Sequence, residues 1–169
     1  SEITVGYCTL YGDTSGVLCA LGDLWKTQVY ELAREINAER TVIPQASIDI
    51  PASAELSDAQ NVDEGKGDPI IYPYHDRLFA FWMERWQRNA LVDSERLLSK
   101  GFSLYCETLG VDEAFLRGKF HTDAEILSDM ERWWKRYRGI ALAKRIQMPP
   151  ILSVSRRAFG FDYRESQLG

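Results

Sequence analysis

Cysteine and histidine are scarce in this sequence. Its 169 residues include only three cysteines, Cys8, Cys19 and Cys106, and two histidines, His75 and His121. The cysteines have no Cys-x-x-Cys spacing, which argues against a disulfide scaffold, and two histidines are too few for a zinc cluster. No Asn-x-Ser/Thr glycosylation sequence occurs either. These absences predict reduced thiols and a cytoplasmic location.

Long apolar runs and self-sufficient catalytic motifs are also missing. No stretch approaches the roughly 18 to 20 apolar residues that span a bilayer. The strings GxxxxGK(S/T), GxGxxG, HExxH and GxSxG do not occur. The sequence therefore predicts neither a membrane-spanning helix nor a hydrolytic triad.

Acidic residues outnumber basic ones. Twenty Lys and Arg against 25 Asp and Glu give a net charge of −5 at pH 7, which argues against bulk electrostatic binding of nucleic acid or anionic membrane. With 45% apolar and 12% aromatic residues, the chain has enough apolar material for a folded core. Its length predicts about one domain.

Apolar periodicity predicts a mostly helical chain with one or two short strands. The β-branched and aromatic run 3–11 predicts a buried strand, and residues 151–154 predict a second. Residues 38–75, with four prolines and an acidic cluster, are predicted to form a long loop. Because the chain opens directly on the predicted strand, we expect it to be part of a longer polypeptide. Helices are predicted from Asp23 to Asn37, over about 78–86 (with Trp86 in its aromatic stripe), from Asp93 to Gly110, around 113–116, and from Thr122 to prolines 149 and 150.

Two residues have side chains suited to binding phosphate. Lys26 lies in the first turn of a predicted helix, where a cation opposes the helix dipole unless an anion is bound there. Ser53 lies two residues after Pro51, in the segment Pro51-Ala52-Ser53-Ala54-Glu55-Leu56. The alternatives are a solvated surface lysine and the cap of a short helix. On the residues alone, these alternatives are favoured.

The predicted C-terminal helix carries a basic and aromatic stretch. Lys144 falls on its apolar stripe, which predicts an ammonium directed into a cleft, or a lysine that complements the helix carboxyl end. Residues 132–145 contain six basic side chains and no acid, together with Trp133, Trp134 and Tyr137. A helical interaction module that binds RNA or an acidic partner through this face is an alternative function. In an acidic protein, such aromatics more often belong to the core and such charges to the solvent.

Four segments share a pattern with one known family. Together they resemble NAD synthetase, and in particular the synthetase domain of its glutamine-dependent type. Their order and spacing make the resemblance specific, and it covers essentially the whole chain. It implies an α/β parent fold that is pyrophosphatase-loop, adenine nucleotide alpha-hydrolase-like and Rossmann-like, of which this chain is a mostly helical part. The segments are 6–13 (GYCTLYGD), 22–33 (GDLWKTQVYELA), 50–56 (IPASAEL), and 143–145 (AKR) with 155–160 (SRRAFG).

The resemblance implies ATP-dependent amidation of deamido-NAD to NAD, the final step of NAD biosynthesis. The reaction passes through an acyl-adenylate, and ammonia is supplied from glutamine. This chemistry needs cations, including Mg²⁺, to offset phosphate charge, and a pocket that shields the adenylate from water. The resemblance also implies a dimer-based homo-oligomer without nucleic acid or membrane partners.

Site residues follow from the resemblance position by position. Lys26 and Ser53 match positions that contact ATP phosphates. Glu2 matches an acid at the deamido-NAD and Mg²⁺ site, and Lys144 matches a basic residue that contacts deamido-NAD. Asp13 lies in the matched Gly-Asp turn without a firm role, and no catalytic residue is assigned.

The sequence departs from the family pattern in several places. Leu10 and Val17 stand where ammonia-only relatives have a lysine and an aspartate. The Ser-Gly-Gly-x-Asp-Ser loop that cradles pyrophosphate and the glutaminase domain with its Glu-Lys-Cys triad do not occur in this sequence. We therefore expect residues 1–169 to be the C-terminal part of the synthetase domain, inactive alone. A GMP synthetase, which uses a similar loop, is a nearer alternative, but the strings 26–30 and 155–160 argue against it.

Overall fold

The computed structural model describes residues 1–55, 57–83 and 89–155, and regular structure within them is helical. Leu56, Trp86 and residues 156–160, which enter the predictions above, lie outside the described residues. Two 3-10 turns, Asp58–Gln60 and Val62–Glu64, lie in the long loop. The helices are α1 (Glu2–Val5), α2 (Lys26–Ile36), α3 (Gln45–Asp49), α4 (Tyr72–Met83), α5 (Ala90–Ser99), α6 (Phe102–Leu109), α7 (Glu113–Lys119), α8 (Asp123–Arg138) and α9 (Ile140–Ile146).

The predicted opening strand is wrong, because residues Glu2–Val5 form helix α1. Gly6 ends the helix in the left-handed conformation, with φ 66°. Val5 is fully buried, so the apolar run does enter the core. A strand needs a neighbour to pair its backbone groups, and the described residues contain only one isolated parallel bridge, between Cys19 and Ile151. Of the second predicted strand, residues 151–154, only this bridge at Ile151 is present.

Helix α2 begins three residues later than predicted. Asp23 does not cap it, because its carboxylate accepts hydrogen bonds from the backbone N–H groups of Val154 (2.7 Å) and Ser155 (2.5 Å). The buried Asp76 of α4 takes that role, since its Oδ2 accepts from both the backbone N–H and the hydroxyl of Thr27, each at 2.9 Å. The predicted end at Asn37 is confirmed. A buried carboxylate thus fixes the position of α2 on α4.

Glycines divide two helices that were predicted to be continuous. Gly101, with φ 140°, separates α5 from α6. Gly139 separates α8 from α9, and a Cβ there would lie 2.7 Å from the Lys135 carbonyl oxygen. The predicted stop at Gly110 and the capping box at Thr122 are both confirmed.

Aromatic side chains from α4, α6 and α8 dominate the core. The stripe predicted for α4 is confirmed up to Met83. Three of these rings have their polar groups hydrogen-bonded inside the core. Trp82 Nε1 donates to Ser94 Oγ at 2.9 Å, and the Tyr74 and Tyr105 hydroxyls lie 2.8 Å apart. The rings that are 2% exposed or less are Tyr74, His75, Phe79, Trp82, Tyr105, Trp133 and Tyr137.

A buried histidine–aspartate pair joins α4 to α8. His75 Nδ1 accepts a hydrogen bond from the Ile71 N–H at 2.7 Å, so the ring proton lies on Nε2. That nitrogen donates to Asp129 Oδ2, also at 2.7 Å. Arg132 binds the other oxygen of Asp129. The two central helices are therefore registered by a polar contact inside the core.

Helix α1 is held against α8 and α9 by a close backbone approach. A Cβ on Gly6 would lie 2.8 Å from the Ala141 Cα. The Arg136 guanidinium donates to the carbonyls of Val5 and Gly6, each at 3.3 Å. The Lys144 ammonium donates to the Gly6 carbonyl at 2.8 Å. These contacts set the position of α1, which carries Glu2.

None of the helices in the described part of the chain combines the length and the apolar character that a membrane crossing requires.

Candidate functional site

A cleft of about 750 Å³ opens between three parts of the chain. One wall is α1 with the turn that follows it, and the second is the part of α2 from Lys26 to Ala33. The third is formed by α3 and by loop residues between Ile43 and Asp68. Val29 and Ala33 of the apolar face of α2 line it, which explains why this predicted stripe is not buried in the core. The volume lies in the range of small-molecule sites. A second cavity, about 80 Å³ beside Trp25, is too small for a nucleotide.

Glu2 and Lys26 form an ion pair in this cleft. The Glu2 carboxylate lies 3.2 Å from the Lys26 ammonium, and both side chains are less than one-third exposed. The ammonium lies 5.6 Å from the ring centroid of Tyr72 and 6.0 Å from that of Tyr30. This pair thus presents one carboxylate and one ammonium to the cleft, each of which could also bind a ligand charge of the opposite sign.

Burial and neighbouring charges set the protonation states of Glu2 and Tyr72. In the 169-residue chain, burial raises the pKa of the Glu2 carboxyl, but three groups outweigh it and lower the pKa below its ordinary value. They are the terminal amino group at Ser1, the Lys26 ammonium and a hydrogen bond from the Tyr72 hydroxyl. Burial and the carboxylates of Glu2 and Asp68 raise the pKa of Tyr72 well above its ordinary value. At neutral pH, Glu2 is an anion and Tyr72 is a neutral donor.

Backbone N–H groups at the start of α2 already have partners. The Lys26 N–H donates to Ser1 Oγ at 2.8 Å, and the Thr27 N–H donates to Asp76. The Trp25 N–H donates to Gln28 Oε1 at 2.9 Å. An anion at this end of α2 would therefore bind the Lys26 side chain rather than the helix N–H groups.

Ser53 lines the cleft but does not cap a helix. Its hydroxyl donates to the Gln60 carbonyl at 2.6 Å and accepts from the Glu55 N–H at 3.1 Å. Glu55 has φ 48°, so the chain makes a turn there and α3 ends before it. The alternative interpretation of Ser53 as a helix cap is wrong. A phosphate at Ser53 would compete with Gln60 for the hydroxyl proton.

Lys144 lies behind the cleft wall instead of lining the cleft. Its ammonium donates to the Gly6 carbonyl and to the carbonyl of Cys8, and Cys8 is part of the lining. Asp13 also lines the cleft, and its carboxylate accepts from the Thr9 N–H at 2.8 Å. The structure therefore brings Glu2, Lys26 and Ser53 together and places Lys144 one layer away.

The two positions at which ammonia-only relatives carry a lysine and an aspartate lie outside this lining. Leu10 and Val17 are absent from the lining that the described residues provide, and Val17 is 91% exposed. Neither Leu10 nor Val17 therefore contributes to the cleft in this chain.

The basic and aromatic stretch 132–145 is largely used inside the fold. Arg132 binds Asp129, and Arg145 donates to the Tyr137 carbonyl. Arg136 and Lys144 bind α1, as described above. Trp133 and Tyr137 are buried, so they offer no stacking surface to a base. This geometry disfavours the RNA-binding alternative.

Sequence reasoning missed three polar residues that organise the cleft. In the sequence-based prediction, Asp68 and Tyr72 lie in the long loop 38–75 and Asp76 has no role. Asp76 had a usable signal, because it is an acid on the otherwise apolar face of α4. Asp68 and Tyr72 had none, because the contacts that tie them to α1 and the turn after it, from Tyr72 to Glu2 and from Tyr7 to Asp68, join positions far apart in sequence.

Comparison with known proteins identifies the family. The family model described as NAD synthase matches residues 1–109. The chain belongs to the NAD synthase family. This confirms the resemblance and shows that the cleft residues Glu2, Lys26 and Ser53 fall within the part that the NAD synthase model matches.

Curated members of the NAD synthase family extend the match over nearly the whole chain. A glutamine-dependent NAD(+) synthetase of Synechocystis is 34% identical over 164 residues, 97% of this chain and 24% of that protein. The one of Thermotoga maritima is 30% identical over 166 residues, 97% of this chain and 23% of that protein. The NH(3)-dependent NAD(+) synthetase of Chlorobaculum tepidum is 28% identical over 167 residues, 97% of this chain and 46% of that protein. The chain spans about a quarter of the glutamine-dependent relatives. No solved structure matches it.

Proposed function

We propose that this chain takes part in the ATP-dependent amidation of deamido-NAD to NAD. The nicotinate carboxylate attacks the α-phosphate of ATP, pyrophosphate leaves, and ammonia then displaces AMP from the acyl-adenylate. Family membership supports the reaction class, and its curated relatives include glutamine-dependent enzymes. The observation that carries the proposal is the cleft in which Glu2, Lys26 and Ser53 converge.

Lys26 and Ser53 bind the phosphates of ATP in this proposal. The Lys26 ammonium supplies a positive charge in a partly buried position, where charges are less screened than at the surface. Ser53 supplies a hydroxyl on the opposite wall of the same cleft. Phosphate charge that develops as pyrophosphate leaves is stabilised most by donors already in place.

Glu2 is the residue that would hold Mg²⁺. Its carboxylate oxygens are the hard ligands that this ion prefers, and Mg²⁺ commonly binds one or two carboxylates together with substrate phosphates. The described residues form no group of three acids, histidines or cysteines suited to a metal, which fits such a shared site. When bound, the ion offsets phosphate charge.

Lys144 contacts deamido-NAD in this proposal through its remaining donor. An ammonium has three N–H groups, and the carbonyls of Gly6 and Cys8 occupy two of them. The third can serve a ligand on the Cys8 side of the cleft. The same two bonds also keep Lys144 in a fixed position.

The chain supplies the C-terminal part of the synthetase domain, and other polypeptide supplies the phosphate-cradling loop and the ammonia from glutamine. The share of the glutamine-dependent relatives that it covers supports this division. We further propose that the enzyme is a dimer-based homo-oligomer of the cytoplasm. The free cysteines Cys8, Cys19 and Cys106 agree with a reducing compartment.

Calorimetric titration of the 169-residue chain with ATP and Mg²⁺ tests the proposal. We expect weak ATP binding, no NAD formation by this chain alone, and loss of ATP binding in Lys26→Met. Lys100→Met is the matched control, because Lys100 is exposed at the end of α5. RNA binding with a steep salt dependence, and no competition by deamido-NAD, would favour the interaction module instead.

A further inference from the structure

Asp68 lies where three segments around the cleft meet. Its Oδ1 accepts hydrogen bonds from the Ala54 N–H (2.9 Å), the Tyr7 hydroxyl (3.1 Å) and Gln60 Nε2 (3.1 Å). Its Oδ2 accepts from the Tyr72 hydroxyl at 2.9 Å. Three donors saturate Oδ1, so this half of the carboxylate serves the protein itself.

Asp68 both accepts a hydrogen bond from, and donates one to, the Ser53 segment, which consists of residues 52–54. Besides accepting from Ala54, Asp68 donates its own N–H to the Ala52 carbonyl at 2.7 Å. The neighbouring Gly67 makes this approach possible, because a Cβ there would lie 2.7 Å from the same carbonyl oxygen. Ser53 is therefore flanked on both sides by residues bonded to Asp68.

On its other side, Asp68 is linked to Glu2 through a single side chain. The Tyr72 hydroxyl lies 2.9 Å from an oxygen of each carboxylate. Because a hydroxyl has one proton, it donates to one of the two at a time. Asp68 thus connects the wall that carries Ser53 with the wall that carries Glu2.

We propose that Asp68 is a positioning residue of the cleft, which holds the Ser53 segment at a fixed distance from Glu2 and Lys26. In the described residues of the segment between α3 and α4, two 3-10 turns are the only regular structure, so without these bonds the segment would have to be ordered when a ligand binds. That ordering would weaken binding. The inference depends on the proposed function only in the choice of ATP as the ligand.

Two substitutions separate positioning from a general loss of charge. Asp68→Asn keeps an oxygen for the three donors, and its amide can donate to Tyr72, which then donates to Glu2. We expect ATP affinity within about threefold of wild type for Asp68→Asn and roughly tenfold weaker for Asp68→Ala. By NMR, amide exchange of Ala54 should accelerate at least roughly tenfold in Asp68→Ala and stay near wild type in Asp68→Asn.

A second variant and a control complete the experiment. Gly67→Ala places a methyl group against the Ala52 carbonyl and should accelerate Ala54 exchange even if Asp68→Ala does not fold. Asp58→Ala, at an exposed acid of the same loop, should change neither readout. If Ala54 exchanges at the wild-type rate in Asp68→Ala, the inference is overturned. If Asp68→Ala does not fold, a wild-type exchange rate in Gly67→Ala overturns it instead. If the wild-type chain fails to bind ATP, the proposed function fails, and the exchange rates still decide the role of Asp68.

Discussion

The carboxylate of Glu2 lies 3.2 Å from the ammonium of Lys26, and two separate sets of contacts position these two residues. Glu2 is positioned by α1, which the close contact of Gly6 with Ala141 holds against α9. Lys26 is positioned by α2, which Asp76 anchors on α4. The pair is therefore a product of the helical core rather than of local sequence.

The first prediction concerns acid stability and Glu2. Its pKa is lowered on folding, so ionised Glu2 stabilises the protein above the ordinary carboxyl pKa of 4.5. This contribution is lost as the pH falls through the lower folded pKa. We expect Glu2→Gln to destabilise the chain at pH 7 and to flatten the loss of stability below about pH 4.5. Urea unfolding from pH 7 to pH 3 measures this, with exposed Glu131→Gln as control; parallel pH profiles for wild type and Glu2→Gln would contradict it.

The second prediction concerns the contact between α1 and α9. Gly6→Ala introduces both a left-handed alanine and a Cβ 2.8 Å from the Ala141 Cα. Gly110→Ala is the matched control, because Gly110 has almost the same φ, 67°, and nothing within 4 Å of its Cβ position. The control should cost about 1–2 kcal/mol, and Gly6→Ala about 1–3 kcal/mol more. Equal unfolding free energies in urea would show that the close approach is unimportant.

Features governed by local hydrogen bonds were predictable from the sequence, and those governed by distant partners were not. The capping box at Thr122 and the stop at Gly110 follow from their own neighbours and were predicted. The opening strand was mispredicted because strand formation depends on a pairing partner that the described residues lack. Gly139 was missed as a break because an isolated glycine is often tolerated inside a helix.

The candidate site shows the same division. Lys26 and Ser53 were found through the resemblance, since their motifs are short and contiguous. Asp68 and Tyr72 were missed, because the bond from Tyr72 to Glu2 joins positions 70 residues apart and leaves no local pattern.

The third prediction concerns the buried pair of His75 and Asp129. His75→Leu removes the donor to a carboxylate that is almost completely buried. A buried acceptor left without its donor costs about 1–3 kcal/mol, and we expect a loss of unfolding free energy in that range. The exposed His121 provides the control, because His121→Leu should change stability by less than about 0.5 kcal/mol. Equal urea midpoints for the two variants would mean that the pair contributes nothing.

The last prediction concerns Lys144 in the intact enzyme. Lys144→Ala removes the donor proposed for deamido-NAD together with the two bonds that hold the carbonyls of Gly6 and Cys8. We expect the KM for deamido-NAD to rise roughly tenfold or more. Steady-state kinetics against exposed Lys135→Ala checks this. Gly6→Ala disturbs the same turn but keeps the Lys144 ammonium. If the KM for deamido-NAD rises equally in Gly6→Ala and Lys144→Ala, Lys144 only supports the cleft wall. Unchanged kinetics in Lys144→Ala would remove Lys144 from the site.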